Sequence, residues 1–124
     1  MISRTCLLVS DDPDDYLELS EALYEVSGDI VLLNVADPQK ALEFLEKKWC
    51  VPSHIFFNLE MHGLNCDKFL NAVEQNPQLE SSAVIAYGDY SRYGKLKTTR
   101  ITAFLDSASS YSEVRQFMEK IARA

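Results

Sequence analysis

The chain has 124 residues and a mass of 14.1 kDa, which leaves room for one domain. Its composition, 47% hydrophobic and 25% charged, is that of an ordinary globular domain and excludes a disordered tail or a fibrous repeat. Nineteen acidic residues against twelve basic ones give a net charge of −7, which argues against binding to nucleic acid or to anionic membrane surfaces.

Three further features favour a cytoplasmic location. The N-terminus runs directly into an apolar segment without a small-residue cleavage site, so we expect no signal peptide. No apolar run approaches the roughly 20 residues that span a bilayer. The cysteines Cys6, Cys50 and Cys66 are odd in number and form no C-x-x-C pair, which argues against a disulfide framework and a zinc site.

The first half of the chain alternates short apolar runs with amphipathic helical patterns. Buried strands are predicted at Thr5 to Ser10 and at Ile30 to Val35. A helix is predicted from Pro13 to Ser27-Gly28, and a second one after Asp37-Pro38 that ends near Lys47-Lys48.

The second half repeats the alternation less regularly. Strands are predicted at His54 to Phe57, ended by Asn58, at Ala83 to Tyr87 and at Ala103 to Leu105. Helices are predicted around Phe69, Leu70 and Val73, and from Ser112 to Ala122 behind a Ser112 cap. The stretch 90–100 has little apolar periodicity, so any helix there is short or irregular.

Strands that alternate with helices indicate right-handed βαβ units on a parallel sheet. We therefore expect a single α/β domain over residues 1–124, flavodoxin-like and doubly wound, with five parallel strands in the order 2-1-3-4-5 and helices on both faces. Ligands of such sheets bind beyond the carboxyl ends of the strands. The polar residues that follow the strands are therefore the candidate functional residues.

Two motifs at these positions resemble the receiver domain of two-component response regulators. One is the acidic pair Asp11-Asp12 after the first strand, and the other is Leu59-x-Met61-x-Gly63 after the third. The resemblance covers the whole chain. It implies a phosphorelay signalling module in which the acidic pair holds Mg²⁺ and an aspartate accepts a phosphoryl group from a kinase's phosphohistidine.

Several residues depart from the receiver pattern. Asn58 stands at the phosphoacceptor position, and a neutral amide is not a competent nucleophile. Tyr87, or Gly88 if the register slips by one, replaces the switch hydroxyl, and Ser107 replaces the lysine. The switch aromatic is kept as Phe104. The resemblance thus implies a degenerate pseudo-receiver that is not phosphorylated on aspartate and is not an enzyme.

The resemblance also implies a cation site with reduced charge. Its ligands would be Asp11, Asp12, the amide oxygen of Asn58 and the backbone carbonyl of Glu60, so Mg²⁺ binding should be weak or lost. The acidic pair can equally serve only to favour a helix N-terminus. Phe104 can likewise be an ordinary core residue. Two other functions stay open for Asp11 and Asp12: a small cation-dependent enzyme and a nucleotide-binding flavodoxin-like domain.

A domain of this kind acts through protein contacts, and the partner is a histidine kinase, another response regulator or a second copy of the chain. The surface that the resemblance implies is the irregular segment, the fifth strand and the last helix. Its tyrosine and arginine residues are of the types that anchor interfaces, although a solvated loop is the alternative. They are Tyr90, Arg92, Tyr93, Arg100, Tyr111 and Arg115.

Overall fold

Five parallel strands form one sheet in the computed structural model, which describes residues 4–47, 51–61, 66–89, 91 and 101–123. The strands are β1 (Arg4–Val9), β2 (Ile30–Val35), β3 (His54–Asn58), β4 (Ala83–Gly88) and β5 (Ile101–Asp106). Their order is β2-β1-β3-β4-β5, and every neighbouring pair is parallel. The predicted flavodoxin-like architecture is confirmed.

In the part of the chain that the structure describes, four helices and one 3₁₀ turn accompany the strands. They are α1 (Pro13–Val26), α2 (Pro38–Glu46), α3 (Cys66–Glu74), the turn Pro77–Leu79 and α4 (Tyr111–Arg123). Both α1 and α2 start in the same way: an aspartate, Asp12 or Asp37, caps backbone N–H groups of the first turn, and a proline follows it. Within the described residues, no helix is both long and apolar enough to cross a membrane.

The start of α4 corrects one prediction. Ser110, not Ser112, caps this helix, because the Ser110 hydroxyl accepts from the Glu113 N–H at 3.2 Å. In return the Glu113 carboxylate accepts from the Ser110 N–H at 3.0 Å, which completes a reciprocal capping box. Both serines precede the same apolar stripe, so the periodicity alone did not distinguish them.

Strand β5 is longer than the apolar run Ala103 to Leu105 predicted. Its pairing with β4 shifts register between Val84 and Ile85, and Thr102 is the extra residue on the β5 side. The Thr102 hydroxyl donates to the Val84 carbonyl at 3.0 Å, so hydrogen bonding continues through the irregularity. A polar residue inside the strand obscured the alternation on which the prediction relied. The predicted irregular segment 90–100 lies outside the described residues, except for Ser91.

Two apolar clusters cover the two faces of the sheet. One packs β-strand side chains against α1 and α4, and the other packs them against α2 and α3. Adjacent residues of β3 belong to different clusters: Phe56 makes an edge contact with Phe117, with ring centroids 6.2 Å apart, and Phe57 packs on Phe69 at 5.6 Å. Each fully buried aromatic side chain contributes about 1.5 to 3 kcal/mol, so β3 is held firmly from both sides.

Candidate functional site

The carboxyl ends of β1, β3 and β4 bring three polar side chains to one edge of the sheet. Ser10 directly follows β1, Asn58 is the last residue of β3, and Tyr87 pairs with Asn58 from β4. Because Val9 pairs with Phe57, Ser10 and Asn58 continue adjacent strands at the same level. This edge is the location that the doubly wound topology favours for a ligand site.

The carboxamide of Asn58 is held on both sides by hydrogen bonds. Its oxygen Oδ1 accepts from the Glu60 N–H at 2.8 Å, which fixes the orientation of the amide. Its nitrogen Nδ2 therefore points the other way, where it donates to Asp15 Oδ2 at 2.8 Å and to Ser10 Oγ at 3.3 Å. The side chain is only 7% exposed. An amide in this setting is a buried structural donor, not a nucleophile.

Asp15 is the residue that the sequence analysis missed. Its side chain is 8% exposed and accepts from the fully buried Ser10 hydroxyl at 2.7 Å. Burial raises the pKa of the Asp15 carboxyl, while the bonds from Ser10 and Asn58 oppose that shift. A signal was available: Asp15 lies one helical turn before Leu19 and two turns before Leu23 on the buried stripe of α1.

The predicted cation ligands have other partners. Asp12 accepts from the Asp14 N–H at 2.9 Å as the cap of α1, which is the helix-terminus alternative of the sequence analysis. Asp11 and Glu60 are exposed. Across the described ranges, no group of three histidine, cysteine or acidic residues is arranged to hold a metal ion. Of the four predicted ligands, Asp11 and Asp12 are the carboxylates, and Oδ1 of Asp12 accepts the capping bond of α1.

The three predicted switch positions have different surroundings. Tyr87 is buried in the α1–α4 cluster, and burial together with the charge of Asp15 raises the pKa of its hydroxyl well above the usual range. Phe104 is half-buried against the α2–α3 cluster, as the core alternative expected. Ser107 is exposed, and its N–H donates to the Gly88 carbonyl at 2.8 Å.

Two of the six predicted interface residues are described, and both contact α1. Arg115 pairs with Glu25 at 3.4 Å, with both side chains about half exposed. Desolvation raises the pKa of the exposed Tyr111 hydroxyl, and a hydrogen bond to the same glutamate raises this pKa further. The other four predicted residues, Tyr90, Arg92, Tyr93 and Arg100, lie outside the described residues.

The chain resembles known proteins in its three-dimensional structure. No family model matches the chain, and no curated protein matches it. Among solved structures, a two-component response regulator from Legionella pneumophila superposes with a TM-score of 0.79 at 16% identity, covering 98% of this chain and 100% of that one. The chemotaxis response regulator CheY4 of Vibrio cholerae gives 0.78 at 15%, covering 98% and 99%.

The fold is that of a response regulator receiver. The Mn²⁺-bound form of response regulator Rcp1 adds a third example, with a TM-score of 0.74 at 20% identity and coverage of 96% of this chain and 91% of that one. On this receiver fold, the end of β3 carries Asn58 and the first turn of α1 carries a buried Asp15.

Proposed function

We propose that the chain is a signalling module of a two-component system that is not switched by aspartyl phosphorylation and acts through protein contacts. The observation that carries this proposal is the bonding of Asn58. Its Nδ2 donates to Asp15 and Ser10 at the end of β3, the position where the receiver resemblance expects a nucleophilic carboxylate. A neutral carboxamide is a poor nucleophile, because its nitrogen lone pair is delocalised into the carbonyl and its oxygen carries no full negative charge.

The charges around Asn58 support the same conclusion. The transferred phosphoryl group is anionic and needs cations or N–H donors to stabilise it. Among the described residues, the charges that act on the Asp15 carboxyl are those of Asp12 and Glu18, and both are negative. Ser107 occupies the position where the resemblance expects a lysine, so no ammonium is supplied from the end of β5.

Phosphodonor treatment tests this proposal directly. The chain is incubated with acetyl phosphate and Mg²⁺ and read by intact mass, beside a receiver that retains its aspartate. We expect a phosphorylated fraction in the control and none in this chain. Stable stoichiometric phosphorylation of the unmodified chain would refute the proposal. The Asn58→Asp variant should gain little phosphorylation, because Ser107 supplies no positive charge.

Cation binding in this module should be weak or absent. Asp12 already accepts the capping bond of α1, and the Asn58 oxygen already accepts the Glu60 N–H. Mg²⁺ affinity falls as the number of charged ligands falls. Calorimetric titration should therefore detect no micromolar binding. Tight binding that survives Asp12→Ala would show that these residues are not the ligands.

The partner is expected to be a protein: a histidine kinase, another response regulator or a second copy of the chain. We place its contact on the irregular segment 90–100, the fifth strand and the last helix. A pull-down comparing wild type with Tyr93→Ala/Arg115→Ala tests this surface. Because Arg115 also pairs with Glu25, the Glu25→Gln variant is the control for loss of that ion pair alone. Equal recovery of every partner by the double variant would show that the surface is wrong.

A further inference from the structure

One oxygen atom joins three elements of the fold at the receiver site. Asp15 Oδ2, in the first turn of α1, accepts from Ser10 Oγ after β1 at 2.7 Å and from Asn58 Nδ2 at the end of β3 at 2.8 Å. Ser10 Oγ in turn accepts from the Asp12 N–H at 3.1 Å. All three side chains are at most 8% exposed, so these bonds are shielded from water.

We propose that the Asp15 carboxylate is an internal anionic ligand of the receiver site, which binds the donors of Ser10 and Asn58 and closes the site from within. The proposal deepens the proposed function, and it rests on that function only for the absence of phosphoryl transfer. Ser10, directly after β1, and Asn58, at the end of β3, both donate to one carboxylate oxygen of Asp15. A small anion-binding site has the same arrangement of donors, but here the anion is a side chain of the protein itself.

The orientation of Asn58 makes this pairing specific. Because the Glu60 N–H binds Oδ1, the group facing Asp15 must be a donor. An aspartate at position 58 would place a second carboxylate oxygen about 2.8 Å from Asp15 Oδ2, where like charges in a buried site repel strongly. The charges of Asp12 and Glu18 add to the effect of burial in raising the pKa of Asp15, and the bonds from Ser10 and Asn58 lower it.

Exchanging the side chains of residues 15 and 58 distinguishes the energy of the Asp15–Asn58 contact from the cost of losing either side chain alone. We expect Asn58→Asp to lower the folding equilibrium constant about tenfold or more when Asp15 is present, and by less than about threefold in the Asp15→Asn background, since an asparagine at position 15 can donate to the new carboxylate. Urea unfolding of the four proteins measures this coupling. Equal costs of Asn58→Asp in the two backgrounds would overturn the proposal.

Removing the carboxylate tests the ligand role itself. Asp15→Ala removes the acceptor of the Ser10 hydroxyl and the shorter of the two bonds from Asn58 Nδ2, and it should lower the folding constant about tenfold or more. The exposed neighbour Asp14→Ala is the control, with a much smaller loss. Sodium formate, a free carboxylate, should raise the folding constant of Asp15→Ala severalfold over sodium chloride at equal ionic strength, and should not do so for wild type.

The outcomes are distinct from those of the phosphodonor experiment. If formate and chloride act equally on Asp15→Ala, or if Asp14→Ala costs as much as Asp15→Ala, Asp15 is not a ligand of this site. If Asp15→Ala does not fold, the exchange of residues 15 and 58 still decides the question. Phosphorylation of the wild-type chain would refute the proposed function, while the coupling between Asp15 and Asn58 would be measured independently of it.

Discussion

The two hydrogen bonds between Arg4 and the end of α4 predict how much the free energy of unfolding falls when Arg4 is replaced. The Arg4 guanidinium reaches from β1 to the carbonyls of Ile121 and Ala122, at 2.9 and 2.5 Å. Carbonyls in the last turn of a helix have no partner within the helix and carry partial negative charge. Two such bonds at about 0.5 to 1.5 kcal/mol each give about 1 to 3 kcal/mol for Arg4→Met, which keeps most of the aliphatic stem.

Arg115→Met is the matched control on the same helix. Its ion pair with Glu25 joins two side chains that are 50% and 44% exposed, and pairs of this kind contribute about 0.2 to 1 kcal/mol. The free energy of unfolding of both variants is measured in urea, and amide exchange in the last turn of α4 is followed by NMR. We expect faster exchange there in Arg4→Met only. A cost for Arg4→Met no larger than that for Arg115→Met would refute the reasoning.

Three other changes test the fold and its response to pH. Ser110→Ala should cost about 1 kcal/mol in urea unfolding, and Ser112→Ala clearly less, because only Ser110 caps α4. Phe57→Ala should cost about 3 to 5 kcal/mol, since Phe57 is fully buried against α3; a cost below about 1 kcal/mol would contradict that packing. Burial lowers the pKa of His54, and the charge of Arg4 adds a smaller effect in the same direction. Below about pH 6.5 the unfolded chain therefore binds more protons at this residue than the folded chain does, so stability should fall as the pH drops through about 6.5. In His54→Gln, urea midpoints measured from pH 7 to pH 5 should fall less steeply, and equal slopes would show that His54 does not carry this effect.

The elements whose apolar pattern is uninterrupted were predictable from the sequence. β3 was predicted to within one residue, because a strand buried on both faces needs a continuous apolar run. The run Ile30–Val35 was predicted with the observed bounds, although β2 is an edge strand in which Leu33 and Asn34 are exposed. β5 was predicted too short, since Thr102 interrupts its alternation with a side chain that bonds across the bulge. Capping by Ser110 depends on backbone geometry that the apolar period does not specify.

The sequence predicted the place of Asn58 in the candidate site, but it predicted the rest of that site only in part. Its position after a buried strand identified it as a residue of the ligand edge, and the structure places it there. The importance of Asp15 was not predictable from charge, because an acidic residue in the first turn of a helix has an ordinary explanation in the helix dipole. The contact with Ser10 and Asn58 distinguishes Asp15 from the exposed Asp14, and the signal in the sequence was its spacing from Leu19 on the buried stripe of α1.

Tyr87 and Phe104 pack on opposite faces of the sheet. Tyr87 belongs to the layer of α1 and α4, and Phe104 packs on the layer of α2 and α3, so the sheet separates the two rings. Their link runs along the paired backbones of β4 and β5, where Ala86 stands beside Phe104 and Leu105 beside Tyr87. A substitution of Phe104 therefore alters the packing of the α2–α3 layer directly, and a substitution of Tyr87 alters that of the α1–α4 layer.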